Sequence, residues 1–152
     1  MRTLIKNKKY PANSINKGDR NSYSVELPED YVLLLGDTAG IQPSNLNECW
    51  EVNERGEYIT KYTDTLESTI ETLDRQLSNS LSEHKLKYCQ ARPLKLIQDN
   101  NVILYTDGKY KVSEYELTYL AKPSKIDSSN ITNLEYTDLP EHTHMEIVKM
   151  AI

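Results

Sequence analysis

The chain has 152 residues, of which 38% are apolar, with eleven Tyr, one Trp and no Phe, a composition that allows one domain with a modest core and Tyr-rich contact surfaces. No apolar run approaches the length of a membrane span, and the basic N-terminus lacks the apolar stretch of a signal peptide, so neither class is expected and the cytosol is the expected place of synthesis. The formal net charge of -5 is uneven: residues 1–21 hold six basic side chains against Asp19 alone, giving +5, and the other 12 basic and 22 acidic residues give -10.

Residues 1–21 show no period of 2 or 3.6 and read as an extended basic arm, with residues 22–152 as a single domain. Tyr23, Val25 and Leu27 alternate with polar residues and predict a half-buried strand. Pro28 then opens a run with acids in its first turn and Gly36 at its end, which predicts a short helix, a buried strand being the alternative. Leu46, Trp50 and Val52, the turn Asn53-Glu54-Arg55-Gly56, and Tyr58, Thr60 and Tyr62 predict a hairpin. Leu66, Ile70, Leu73, Leu77 and Leu81 recur at helical spacing, and Asp64 with Glu67 has capping-box spacing, so a helix is predicted over 64–82. After Arg92-Pro93, the runs 94–98, 102–106 and 109–121 predict a three-stranded meander whose second turn is Asp107-Gly108. A polar loop spans 122–138, and Leu139-Pro140-Glu141 opens a terminal helix displaying Met145, Val148 and Ile152. The expected class is therefore α+β: a β hairpin and a meander with one longer helix, a short helix after Pro28 and a C-terminal helix.

Asp37-Thr38-Ala39-Gly40 after an apolar run is reminiscent of the strand end with which GTPases reach Mg²⁺, and Asn16-Lys17-Gly18-Asp19 of a guanine-reading tetrapeptide. That chemistry needs a Gly-rich loop ending in Gly-Lys-Ser/Thr to hold the phosphates, and the sequence has none. An aspartic-protease loop would need Gly where Ala39 stands. Both fail, leaving a Gly-flanked turn. On a helix, His142 and His144 diverge by about 200° and do not share one ion, while His142 and Glu146 supply only two of the four ligands of a structural zinc site. Cys49 and Cys89 lack metal-ligand spacing and read as two small buried thiols. No catalytic residue, metal site or cofactor is expected.

Ser24-Val25-Glu26-Leu27-Pro28-Glu29-Asp30-Tyr31 precedes the apolar run; Arg92-Pro93 and a stretch ending in Tyr115-Glu116-Leu117-Thr118-Tyr119-Leu120-Ala121-Lys122-Pro123 follow the hairpin. Leu139-Pro140-Glu141-His142-Thr143-His144-Met145-Glu146-Ile147-Val148 completes the pattern. From about residue 22 to 152 the chain resembles the tail-ring and head-to-tail connector proteins of crAss-like and related short-tailed bacteriophages. The resemblance implies a non-catalytic virion protein of the tail or neck, assembled in the host cytoplasm into a dodecameric ring. Its partners would be sister copies, the portal and other tail-ring proteins. The genome would pass through the channel during ejection without sequence-specific DNA binding. The family pattern also carries a helical segment before the Leu-Pro-Glu-Asp region and continues past the terminal helix, where this chain has a short basic arm and stops at Ile152.

Three residue-level features agree: an acidic body that does not retain DNA, Tyr-rich strands that want partners, and an arm of opposite charge able to hook a neighbour. The expected contact residues are Lys6, Lys8 and Lys9, the stripe Leu66, Ile70, Leu73 and Leu77, and Met145 and Val148. The alternative is a small adaptor that binds nucleic acid or another protein through the basic arm. An enzyme with a site assembled only by the fold is the third reading.

Overall fold

A computed structural model describes residues 4–123. The order of elements is β1 (Ile5–Tyr10), a 3₁₀ turn (Ala12–Ser14), β2 (Asn16–Lys17), β3 (Ser22–Glu26), β4 (Tyr31–Pro43), β5 (Lys61–Thr63) and β6 (Leu66–Glu67). Then come α1 (Leu73–Ser78), β7 (Leu94–Gln98), β8 (Asn101–Tyr105) and β9 (Tyr110–Ala121). One sheet has four strands in the order β1-β9-β4-β5, the other five in the order β2-β3-β8-β7-β6. Among the described residues strand accounts for 48% and helix for 8%, so the α+β expectation is corrected to a mostly β fold with one short helix in that range.

Each helical misreading has a local cause. The segment after Pro28 carries β-branched Val32, Thr38 and Ile41 and two glycines, Gly36 and Gly40, a composition that weakens a helix. It forms the thirteen-residue strand β4, bracketed by a Lys122 N–H bond to the Asp30 carbonyl at one end and a Ser44 N–H bond to the Lys109 carbonyl at the other. Over 64–82 the backbone is claimed by β7: the Leu66 N–H donates to the Pro93 carbonyl at 2.9 Å, the Ser68 N–H to Lys95 at 2.8 Å, and β6 pairs parallel with β7. Only six residues, Leu73–Ser78, remain helical. The segment also contains Thr65, Thr69 and Thr72, whose stiff χ1 and hydroxyl bonds oppose a helix.

The three runs expected as a meander are strands, but they do not form one sheet. β7 and β8 pair as a hairpin around Asp99 and Asn100, both at positive φ (49° and 64°), the geometry of a type I′ turn. β9 instead enters the other sheet. The hairpin expected at 46–62 is a short one, with an antiparallel bridge from Val52 to Tyr58, N–H bonds from Asn53 to Glu57 and from Ile59 to Glu51, and Gly56 at φ 78° in its turn, before β5. The expected C-terminal helix lies outside the described residues.

The chain divides into two compact units, one of Met1–Asn7, Pro28–Gly36 and Thr118–Ile152, the other of Lys8–Leu27 and Asp37–Leu117. The second holds the main core. Alternate residues of β8 (Val102, Leu104), with Val25, Leu94 and Leu96, are buried from the five-stranded sheet, and Ala39, Ile41, Tyr110, Val112, Tyr115 and Leu117 from the other. Burial along β9 changes phase between Val112 and Tyr115, the shift a β-bulge produces. At Gly40 a Cβ would meet Thr60 Cγ2 at 2.8 Å and Glu114 Cβ at 3.1 Å, so close approach of backbone and neighbours requires glycine there.

Cys49 and Cys89, expected as two thiols, are joined by a disulfide across 40 residues, with Cα atoms 6.1 Å apart. Spacing in sequence carried no sign of the pairing, because the hairpin at 50–59 and the turn at 87–90 meet only in the folded chain.

Candidate functional site

Three strands of the second unit and the link between β5 and β6 converge on one buried carboxylate. Asp37 from β4 accepts from Thr65 Oγ1 at 2.6 Å and from the Tyr115 hydroxyl of β9 at 2.7 Å through the same oxygen, Oδ2. Lys95 from β7 lies 3.3 Å from that oxygen, and the Asp37 and Lys95 side chains are 6% and 8% exposed. Asp37 is therefore inside a strand, and the expected Gly-flanked turn at 37–40 is corrected. A carboxylate held by two hydroxyls and an ammonium is locked in place, and the arrangement ties β4 and β9 of one sheet to β7 of the other. Nothing around Asp37 in sequence announced a buried lysine 58 positions away.

The same unit opens a cavity of about 610 Å³. Lys61 of β5, Lys85, Lys87 and Arg92 bring four cations to its lining, against the one carboxylate of Glu83. Arg92 is already clamped: Nη1 donates to Glu83 at 2.8 Å and Nη2 to Asp64 at 2.7 Å, and the bond to Glu83 is the main cause raising its pKa above the usual guanidinium value. The lysines differ. Among the described residues no carboxylate oxygen lies within 4.0 Å of the ammonium of Lys61, Lys85 or Lys87, and Lys61 sits 4.5 Å above the ring of Trp50.

Part of the lining of this cavity is braced. Tyr88 and Cys89 adopt φ 50° and 61°, within a two-residue turn closed by N–H to carbonyl bonds between Lys87 and Gln90 at 3.0 and 2.9 Å. Neither residue type favours the left-handed region, which costs roughly 1 kcal/mol or more each. The disulfide at Cys89 and the paired backbone hold the turn, leaving Tyr88 97% exposed. His84, beside these lysines, is buried with Nδ1 2.8 Å from Ser82 Oγ; burial first, then Lys85, lowers its pKa below 6.5.

Of the expected contact residues, Lys6, Lys8 and Lys9 lie in β1. Lys6 pairs with Asp30 at 2.8 Å, Lys8 lies 5.0 Å over the Tyr10 ring, and Lys9 is 3.9 Å from Glu116. Residues of the expected arm thus form β1 and β2. Leu66 is in β6, Ile70 is exposed, Leu73 is buried and Leu77 is half-buried, because the helical phase that would have aligned them is absent. Met145 and Val148, like His142, His144 and Glu146, lie outside the described residues.

The first unit carries a different feature. Val32, Leu33 and Leu35 of β4 are 49%, 55% and 49% exposed, and Ile5 of β1 is 45% exposed. β5 pairs with β4 only at Ala39, Gly40 and Ile41. Among the described residues, Tyr31–Gly36 therefore have no strand on that side of β4. Asp30 anchors the start of this segment, accepting from Lys6 and, at 2.9 Å, from Tyr119, and the bond from Lys6 holds its carboxyl below the usual range.

Comparison with protein-family models and with curated proteins finds no match to this chain.

Proposed function

We propose that the chain is a structural subunit completed by neighbouring copies of itself, working in the head-to-tail connector or tail of a short-tailed bacteriophage particle. The observation that supports this reading is the edge of β4 at Tyr31–Gly36, which no strand among the described residues covers on the β5 side. Its exposed backbone and apolar side chains on both faces form the pattern of a strand covered on every side, and an exposed edge of that kind is a template for pairing with another chain. Added strand pairing from a sister molecule would extend the sheet at this edge and cover Val32, Leu33 and Leu35 together. The phage assignment rests on the resemblance of residues 22 to 152. A disulfide also suits a particle that leaves the reducing cytoplasm, since such bonds persist on virions and outside cells.

The basic arm is a weaker candidate for binding nucleic acid, because Lys6, Lys8 and Lys9 each have a partner within the chain. Sedimentation velocity of the full chain, wild type against Val32→Lys/Leu35→Lys, tests the assembly reading. Both positions are half-exposed, so the variant keeps its fold and circular dichroism. Concentration-dependent oligomers in the wild type that the variant abolishes are expected; equal oligomers in both, or a monomer at every concentration, would overturn it.

A further inference from the structure

We propose that the basic cavity of the second unit binds a phosphate-bearing ligand of nucleotide size, with Lys61, Lys85 and Lys87 meeting the phosphates and Tyr88 stacking on the ring. This goes beyond the assembly reading and does not depend on it. The volume, about 610 Å³, lies within the range of small-ligand sites. Its charge runs against that of the molecule: four cations and one anion line it, in a chain whose net charge is -5. Arg92 is neutralised by Glu83 and Asp64, but the three lysines, gathered around a concave surface of an acidic protein with no carboxylate within 4.0 Å among the described residues, focus a positive potential there and attract anions.

The lysines differ from Arg92 in a way that sorts their roles. Arg92 has its two terminal nitrogens committed to Glu83 and Asp64, so it shapes the wall. Lys85 and Lys87 are point charges on flexible stems, suited to phosphate oxygens at more than one position. The Lys61 ammonium itself lies 4.5 Å over the Trp50 ring, a cation–π contact that holds the charge in one place on the lining.

The aromatic part of the site is carried by Tyr88. A tyrosine held in the left-handed region and fully exposed gains nothing by burial, and two backbone bonds with a neighbouring disulfide keep it there. Tyr62, 65% exposed, lines the same cavity and hydrogen-bonds Glu114 at 2.8 Å. Flat rings beside unpaired lysines are the combination that stacks a base and neutralises its phosphate. A free nucleotide and the terminal nucleotide of a nucleic-acid strand share this chemistry.

Isothermal titration calorimetry of the intact, oxidised chain at low salt, with ADP, pyrophosphate and a 5′-phosphorylated oligonucleotide as probes, tests the assignment. Trp50 is the one tryptophan, and its contact with Lys61 makes its emission a second readout. ADP is expected to bind and to change that emission. Lys85→Ala/Lys87→Ala should weaken ADP and pyrophosphate alike by roughly 25-fold, about fivefold per lysine. Tyr88→Ala should weaken ADP by at least about fivefold and leave pyrophosphate unchanged. Tighter binding of the oligonucleotide than of ADP would identify a strand end as the source, and the reverse a free nucleotide, both within the proposal. No heat and no change in Trp50 emission at millimolar ADP and pyrophosphate, or binding unaltered in both variants, would overturn it.

Discussion

Replacing Lys95 by Met tests the role of the buried charge centre. The substitution keeps the aliphatic stem and volume but removes the ammonium 3.3 Å from Asp37. Asp37 is then a buried carboxylate with only the Thr65 and Tyr115 hydroxyls to solvate it. Breaking a buried pair from one side costs about 3–5 kcal/mol, and the two surviving donors place Lys95→Met near the lower end, about 3 kcal/mol. Asp37→Asn strands Lys95 in the same way and costs a similar amount. The double variant removes both charges and keeps the hydroxyl contacts, so it should lie within about 1–2 kcal/mol of the wild type. Urea unfolding followed by circular dichroism at neutral pH reads the result: at a slope of about 2 kcal/mol/M, each single change lowers the midpoint by about 1.5 M and the double change by less than 1 M. Additive losses in the double variant would show that the two residues do not act as a pair.

Two further expectations follow from named groups. His84 is held below its ordinary pKa of 6.5 chiefly by burial, so the unfolded chain binds its proton more readily. Stability from this group is complete above about pH 6.5 and declines as pH falls through the lower folded value; unfolding curves between pH 7.5 and 5 should show the decline, and His84→Gln should flatten it. Reducing the Cys49–Cys89 bridge, which closes a loop across 40 residues, should cost about 4 kcal/mol on the chain-entropy model, read as a midpoint shift in urea with and without dithiothreitol.

Strands whose alternation is set by nearest neighbours were legible. Tyr23 and Val25, Val102 and Leu104, and Tyr115 and Leu117 each stand where period 2 places them, and Asn53 to Gly56 is a turn. Contacts made far along the chain were not. The helical spacing of Leu66, Ile70, Leu73 and Leu77 is real in sequence, but parallel pairing of Leu66 and Glu67 with Leu94 and Lys95 claims the backbone first, and tertiary pairing overrides local period. The destination of β9 was equally hidden, since Asp107-Gly108 marks a turn without saying which sheet follows it.

For the candidate site the same division holds. Lys85 and Lys87 alternate visibly before β7, yet their cavity depends on Lys61 and on a disulfide joining residues 40 positions apart. Tyr88 and Cys89 are poor turn residues by type, and only the paired backbone and the bridge keep them at positive φ. Asp37 reads in sequence as part of a Gly-flanked turn, because burial of its partner, Lys95, is decided by the opposite sheet.

Amide hydrogen exchange of the full chain, followed by mass spectrometry from dilute to concentrated solution and in the assembled particle, probes the open edge of β4 most directly. Amides in Tyr31–Gly36 should become slower to exchange as copies associate, while those of the solvent-exposed turn Asn53–Gly56 stay fast throughout. Exchange in Tyr31–Gly36 that is the same in the dilute monomer and in the assembly would contradict the claim that sister molecules complete this strand.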